Sequence, residues 1–199
     1  MPERFPRLYL ARHGETEWSL TGQHTGLTDI ALTDRGEANA RSLGGRLFGC
    51  QFAKVLTSPL QRAKRTCELA GYLDSAEICE DAVEWNYGSY EGRRTRDIRA
   101  EERPGWYLFR DGCPDGEMPE EVGERADRVI DKVREVDGDV VLFSHGHFLR
   151  VLAARWMDLP ANEARRLLLT TASLSVLSYE HGLDQPAVLL WNDDRHVTG

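Results

Sequence analysis

The chain reads as an α/β fold whose sheet is mostly parallel and closes with a C-terminal antiparallel hairpin. Three observations predict this. Short apolar runs alternate with amphipathic helical stretches, as in sheets whose strands are joined by crossover helices. Two of the runs, residues 7–11 and 140–143, stop abruptly at His-Gly pairs, Arg12-His13-Gly14 and Ser144-His145-Gly146-His147. The last two strand-like stretches, residues 174–179 and 187–190, are separated by Glu180-His181-Gly182-Leu183-Asp184, a hairpin connection.

The chain has 199 residues, the length of one domain with a sizeable core, and residues 1–199 are read as a single unit with no linker or repeat. A formal net charge of -8 disfavours nucleic acid and anionic membrane as partners, and no apolar run is long enough to span a bilayer. The start, Met1-Pro2-Glu3-Arg4-Phe5-Pro6, lacks a signal-peptide core. Cys50, Cys67, Cys79 and Cys113 show no CxxC spacing and are read as reduced thiols in a cytoplasmic protein.

The elements follow in order. After the first strand, residues 15–30 form a long polar loop that includes Trp18. Thr33 caps a helix whose apolar face is Leu43, Leu47 and Phe48. A strand over residues 52–57 leads to Ser58 as N-cap and Pro59 at the first helical position, with the helix running to about Tyr72 and Ala63, Thr66, Leu69 and Ala70 inward. Residues 77–79 form an edge strand. Residues 95–102 are helical, residues 106–117 are a bulky loop able to cover a pocket, and residues 120–136 form an amphipathic helix. The strand over 140–143 is followed by a helix over 148–157.

Ligands bind at the carboxyl ends of strands in such folds, so both His-Gly pairs point to one site if their strands are parallel neighbours. A histidine with one free ring nitrogen is a nucleophile, and a guanidinium is a planar fork for phosphate oxygens. Arg62 sits in the first turn of a helix, where a cation gains nothing from the dipole, and this favours an anionic partner. Glu84 lies among Trp85, Tyr87, Tyr90, Gly88 and Gly92, surroundings that would desolvate its carboxyl and favour the protonated form that a general acid needs. Arg12, Arg62 and one protonated histidine then form a cationic clamp for a tetrahedral dianion, and the other histidine attacks phosphorus. The clamp supplies the positive charge, so neither metal nor cofactor is called for. His145-x-His147 is the metal pair to weigh against this, but strand-end alternation points those rings apart and no third ligand is evident. Walker A, GxGxxG and GxSxG are absent.

These residues resemble the histidine phosphatase superfamily, the phosphoglycerate-mutase-like fold. Leu10-Ala11-Arg12-His13-Gly14-Glu15-Thr16 is similar to its Arg-His-Gly signature, and Thr57-Ser58-Pro59-Leu60-Gln61-Arg62-Ala63 to its second arginine motif. Glu84-Trp85-Asn86-Tyr87-Gly88 resembles its acid motif and Ser144-His145-Gly146 its second histidine, all in the family's order. The resemblance implies a three-layer α/β/α sandwich. It also implies that His13 is phosphorylated, with Arg12, Arg62 and His145 around the phosphate and Glu84 as proton donor.

The stretch 18–26, Arg110-Asp111-Gly112-Cys113, Ser144-His145-Gly146-His147-Phe148-Leu149-Arg150 and Leu177-Ser178-Tyr179-Glu180 resemble the sedoheptulose-bisphosphatase-like members and their bacterial acid-phosphatase relatives. That subgroup implies a phosphomonoesterase for small phosphorylated metabolites such as sugar phosphates. Ser19, Gln23, Thr25, Gly26, Tyr87, Gly146 and Arg150 would contact the substrate or a second phosphate, and Trp18, Tyr87, Trp106 and Phe109 would close over it. His24, His147, His181 and His196 are left as structural or solvent-facing. The mutases of the family usually carry Asn where this chain has Ser19. They also carry an insertion between the acid and the second histidine with a further arginine pair, for which Arg93-Arg94 is no clear equivalent. Phosphatase is therefore favoured, with phosphoglycerate mutase and a non-catalytic phosphate-binding scaffold as the alternatives. Members are often dimers or tetramers, so a homo-oligomer is allowed.

Overall fold

Alternate side chains of the central strands feed two separate cores, one on each face of a single sheet. In β1 (Leu8–Arg12), Leu8 and Leu10 enter one core while Tyr9 and Ala11 enter the other. The strand over Val140–Ser144 divides the same way, with Val140 and Leu142 against Val141 and Phe143. A strand apolar on both faces must be covered on both, which is why these runs are continuous rather than alternating. The structure is a computed structural model describing residues 5–197; the reading of the chain's start falls largely on residues 1–4, which with 198–199 lie outside the described residues.

The elements are β1, α1 (Glu17–Thr21), α2 (Asp34–Leu47), β2 (Lys54–Thr57), α3 (Gln61–Leu69), β3 (Ala76–Ile78), α4 (Thr95–Glu101), α5 (Leu108–Asp111), α6 (Pro119–Arg134), β4 (Val140–Ser144), α7 (Gly146–Trp156), β5 (Leu174–Tyr179) and β6 (Pro186–Asp193). The six strands lie in the order β3-β2-β4-β1-β5-β6. β3, β2, β4 and β1 are parallel; β5 runs antiparallel to β1, and β6 antiparallel to β5. Leu43 and Leu47 of α2 and Cys67 of α3 fill one core, and α6 and α7 fill the other through Val122, Val129, Phe148 and Leu152. This is the α/β/α sandwich with a C-terminal antiparallel hairpin. No helix among the described residues is long and apolar enough to cross a membrane.

Several boundaries differ from the expectations, each for a local reason. The loop over residues 15–30 holds α1, nucleated by a capping box in which Thr16 and Ser19 exchange side-chain and backbone hydrogen bonds. Ser58 does not cap α3, which starts at Gln61 after Leu60 with no side-chain cap; the Ser58 hydroxyl goes instead to His145. Phe48 lies beyond the end of α2 and is 90% exposed, so only Leu43 and Leu47 of the proposed face are buried. Within residues 106–117 the chain forms α5, and Trp106 and Phe109 are core residues. α7 begins two residues earlier than expected, directly after His145.

Thr33 caps α2 as expected, accepting from the Gly36 N–H at 3.0 Å. Its own N–H donates to the Glu15 carbonyl at 2.9 Å, so the start of α2 is clamped to the strand that carries His13. A Cβ on Gly36 would overlap the Glu15 carbonyl oxygen, and one on Gly14 would overlap that of Gly36. Overpacking two backbones costs about 1–3 kcal/mol. Gly36→Ala should therefore lower the urea midpoint of unfolding with an unchanged m-value, as followed by circular dichroism.

Candidate active site

Three neighbouring parallel strands end at one level. Arg12 is in register with Ser144 across β1 and β4, and Thr57 with Phe143 across β2 and β4. The ladder continues one step beyond the strands, with the His13 N–H donating to the Ser144 carbonyl at 2.9 Å and the Ser58 N–H to that of Phe143 at 2.9 Å. His13, Ser58 and His145 thus emerge side by side, where the sheet's connections diverge. The two imidazole rings are 5.2 Å apart between centroids.

The hydrogen bonds define the state of each ring. His13 Nδ1 lies 2.7 Å from the Gly14 carbonyl, which can only accept, so the proton is on Nδ1 and the lone pair on Nε2. Arg62 Nε donates to His145 Nδ1 at 3.1 Å, so His145 carries its proton on Nε2, 2.8 Å from the Ser58 hydroxyl. Burial, then the charge of Arg62, pushes both histidines well below the ordinary value of 6.5. The protonated histidine expected in the clamp is thus neutral here: two buried guanidiniums already occupy the same small volume.

Arg62 is fully buried. Besides His145 it donates to the carbonyls of Thr28 at 2.9 Å, Thr25 at 3.2 Å and Gly26 at 2.7 Å, tying the loop after α1 to the site. Thr66 supports the same region, accepting from the Gly14 N–H at 3.0 Å and donating to the Arg62 carbonyl at 2.7 Å. Arg12 donates through one terminal nitrogen to the Leu169 carbonyl, but its buried Nε has no hydrogen-bond partner among the described residues. Such an orphan is expensive unless a ligand satisfies it. The Arg12 guanidinium lies over Gly146, where a Cβ would come within 3.1 Å of its Cζ and Nε.

Glu84 is buried, and besides the neighbouring aromatics three backbone N–H groups face its carboxyl. Its Oε1 accepts from the N–H groups of Trp85 at 2.9 Å and Phe148 at 2.8 Å, and its Oε2 from that of His147 at 3.0 Å. Two of these donors are in the first turn of α7, where free N–H groups and the helix dipole suit a carboxylate. Oε2, with a single donor, is the oxygen left with room for a proton.

A cavity of about 260 Å³ opens over this centre, lined by Arg12, His13, Glu84 and Gly146 at one side and by Ser19, Gln23, Thr25, Tyr87, Thr95, Arg150 and Leu169 around it. Arg62 and His145 lie beneath. Ser19 reaches the cavity although its hydroxyl is engaged with Thr16. Gln23 is braced by Thr21 and the Gly92 carbonyl. Gly26 is not on the wall; its carbonyl accepts from Arg62 and its N–H donates to Glu91. Arg150 stacks 4.5 Å over the Phe109 ring, and burial lowers its pKa to about 10. Five wall residues were not foreseen, Gly22, His24, Thr95, His147 and Leu169. Only spacing could have signalled His147: it follows His145 by two, at the start of a helix rather than along a strand. The rings of His145 and His147 go to different partners, Arg62 and Tyr87.

The histidine phosphatase superfamily (branch 1) profile matches residues 8–194, and the chain belongs to that family. It is 43% identical over 194 residues to an acid phosphatase of Mycobacterium tuberculosis, covering 95% of this chain and 94% of that one. It is 34% identical to sedoheptulose 1,7-bisphosphatase of Saccharomyces cerevisiae, covering 96% and 86%, and 32% identical to a probable phosphoglycerate mutase of Photorhabdus laumondii, covering 88% and 86%. The solved structure of a Mycobacterium tuberculosis open reading frame product superimposes with a TM-score of 0.88 at 38% identity, covering 95% of this chain and 98% of that one.

His24 and His147 are neutral for the same reason as His13 and His145; burial lowers His24 to about 4 and His147 well below 6.5. A histidine held neutral in the fold takes up its proton only on unfolding, so its stabilisation is complete above 6.5 and is lost as pH falls towards the folded value. Between pH 6.5 and pH 5, His24 alone should cost about 2 kcal/mol of stability. The urea midpoint should fall across that window, and the His24 ring should titrate near 4 by NMR.

Proposed function

We propose that the chain is a metal-independent phosphomonoesterase that hydrolyses small phosphorylated metabolites, sugar phosphates among them, through a phosphohistidine on His13. The observation that carries this is the His13 tautomer. The Gly14 carbonyl holds Nδ1–H, leaving a neutral Nε2 lone pair beside Arg12, whose buried Nε awaits a partner. The phosphoryl group sits against Arg12, Arg62 and His145. His13 Nε2 attacks phosphorus, the P–O ester bond breaks, and Glu84 gives its proton to the leaving oxygen. Glu84 then takes a proton from water, which attacks phosphorus, breaks the P–N bond and releases phosphate. The two guanidiniums offset the charge at both steps. Ser19, Gln23, Thr25, Tyr87 and Arg150 hold the remainder of the substrate.

The names of the acid phosphatase and bisphosphatase relatives support hydrolysis. The mutase name favours the second reading, phosphoglycerate mutase. Against it, Arg93 is engaged with Glu101 at 3.1 Å and Glu102 at 2.5 Å, and neither it nor Arg94 is on the cavity lining, so Arg93-Arg94 is no free pair for the carboxylate of phosphoglycerate. Retention of His13, Arg12, Arg62, Glu84 and His145 speaks against a non-catalytic scaffold.

With EDTA present, the protein should release phosphate from p-nitrophenyl phosphate and from fructose 1,6-bisphosphate. Interconversion of 3- and 2-phosphoglycerate without phosphate release would establish the mutase instead. His13→Ala should reduce turnover by more than about a thousandfold. Because burial holds His13 below 6.5, its lone pair stays free in mild acid and turnover should persist at pH 5. A steep loss between pH 7 and pH 5 would contradict the assigned nucleophile.

A further inference from the structure

Tyr87 and His147 line the same cavity as Arg12, His13 and Glu84 and form a pair of their own, with Tyr87 Oη and His147 Nδ1 2.5 Å apart. Among the described residues the Tyr87 hydroxyl has no other hydrogen-bond partner. A phenol in that position puts its hydrogen on the imidazole lone pair, since the reverse arrangement would strand the phenolic hydrogen in a buried site. The ring proton of His147 is then on Nε2. That nitrogen has no partner among the described residues, and the ring lines the cavity. Three contacts fix the ring. Its backbone N–H is held by Glu84, the Phe109 ring packs 5.3 Å away, and His24 lies 6.1 Å away. The neighbouring cation does not compete for the same acceptor, because Arg150 donates to the carbonyls of Ala164 and Arg165 and stacks on Phe109.

We propose that His147 is a specificity-determining residue whose Nε2–H, set in that tautomer by the Tyr87 hydroxyl, donates to a hydroxyl or carbonyl oxygen of the substrate beyond the reacting phosphoryl group. The inference rests on the phosphatase reading and narrows it. The site selects phosphate esters of polyoxygenated alcohols over those of bare aromatic alcohols. Tyr87 acts here through His147 and is a positioning residue.

Two variants separate the nitrogens. Glutamine places its amide nitrogen near the position of Nε2, and asparagine places its own near Nδ1. The readout is the ratio of kcat/KM for fructose 1,6-bisphosphate to that for p-nitrophenyl phosphate. His147→Gln should keep the ratio within about threefold, whereas His147→Asn should lower it about tenfold, the worth of one hydrogen bond. Equal losses on both esters in both variants would overturn the proposal, as would a wild-type protein that hydrolyses only p-nitrophenyl phosphate. A long-range proton–nitrogen NMR spectrum tests the lock without turnover. His147 should be protonated on Nε2 in the wild type and a mixture of tautomers in Tyr87→Phe, and an Nδ1–H wild type would overturn the proposal. If neither ester is hydrolysed, the phosphatase reading fails and the substrate role of His147 falls with it, while the spectrum still judges the lock.

Discussion

The parallel pairing of β1 with β4 is the constraint on which the site depends. Register places Arg12 opposite Ser144, and the next hydrogen bond, from His13 to Ser144, carries the ladder past the strand ends. Two histidines 132 positions apart in sequence numbering become neighbours because their strands stop at the same level. A slip of one residue would turn one ring to the other face of the sheet. The apolar residues on both faces, Leu8 and Leu10 against Tyr9 and Ala11, forbid that slip. The same burial that secures the register strips both rings of water and keeps them neutral.

Arg62 shows how a buried charge can be maintained before any ligand arrives. An isolated guanidinium in the interior would be costly, and here three loop carbonyls and one imidazole accept from it. The loop after α1 is thereby fixed to the site by the group it helps to stabilise. Arg12 is the less satisfied of the pair, and its unpartnered Nε is where an anion would gain most.

Much of this was legible in the sequence. The strand-end His-Gly pairs, the hairpin and the cap at Thr33 each depend on local residue chemistry, and each forms as read. What was hidden depends on partners far along the chain. Ser58 has the sequence context of a helix cap, yet His145, 87 positions away, takes its hydroxyl. Glu84 sits among aromatics in sequence, but its nearest polar neighbours are the N–H groups of a helix that begins more than sixty residues later. His147 was read as structural or solvent-facing because nothing in the sequence ties it to Tyr87, 60 positions away. The neutrality of His145 follows from burial first and then from the nearby guanidiniums, both of which only the folded chain creates.

The first turn of α7 serves several parts of the site at once. His145 stands at its N-cap position, Gly146 makes room for Arg12, and the next two N–H groups hold Glu84. Glu84 and Arg12, which come from different stretches of the chain, therefore both rest on this one turn, and an insertion within it would disturb both contacts. Tolerance to change must lie elsewhere, in the wall residues that hold none of these groups, such as Ser19 and Gln23. In a fold of this design, reaction and repertoire are assigned to different stretches of chain, and the second can diverge while the first stays fixed.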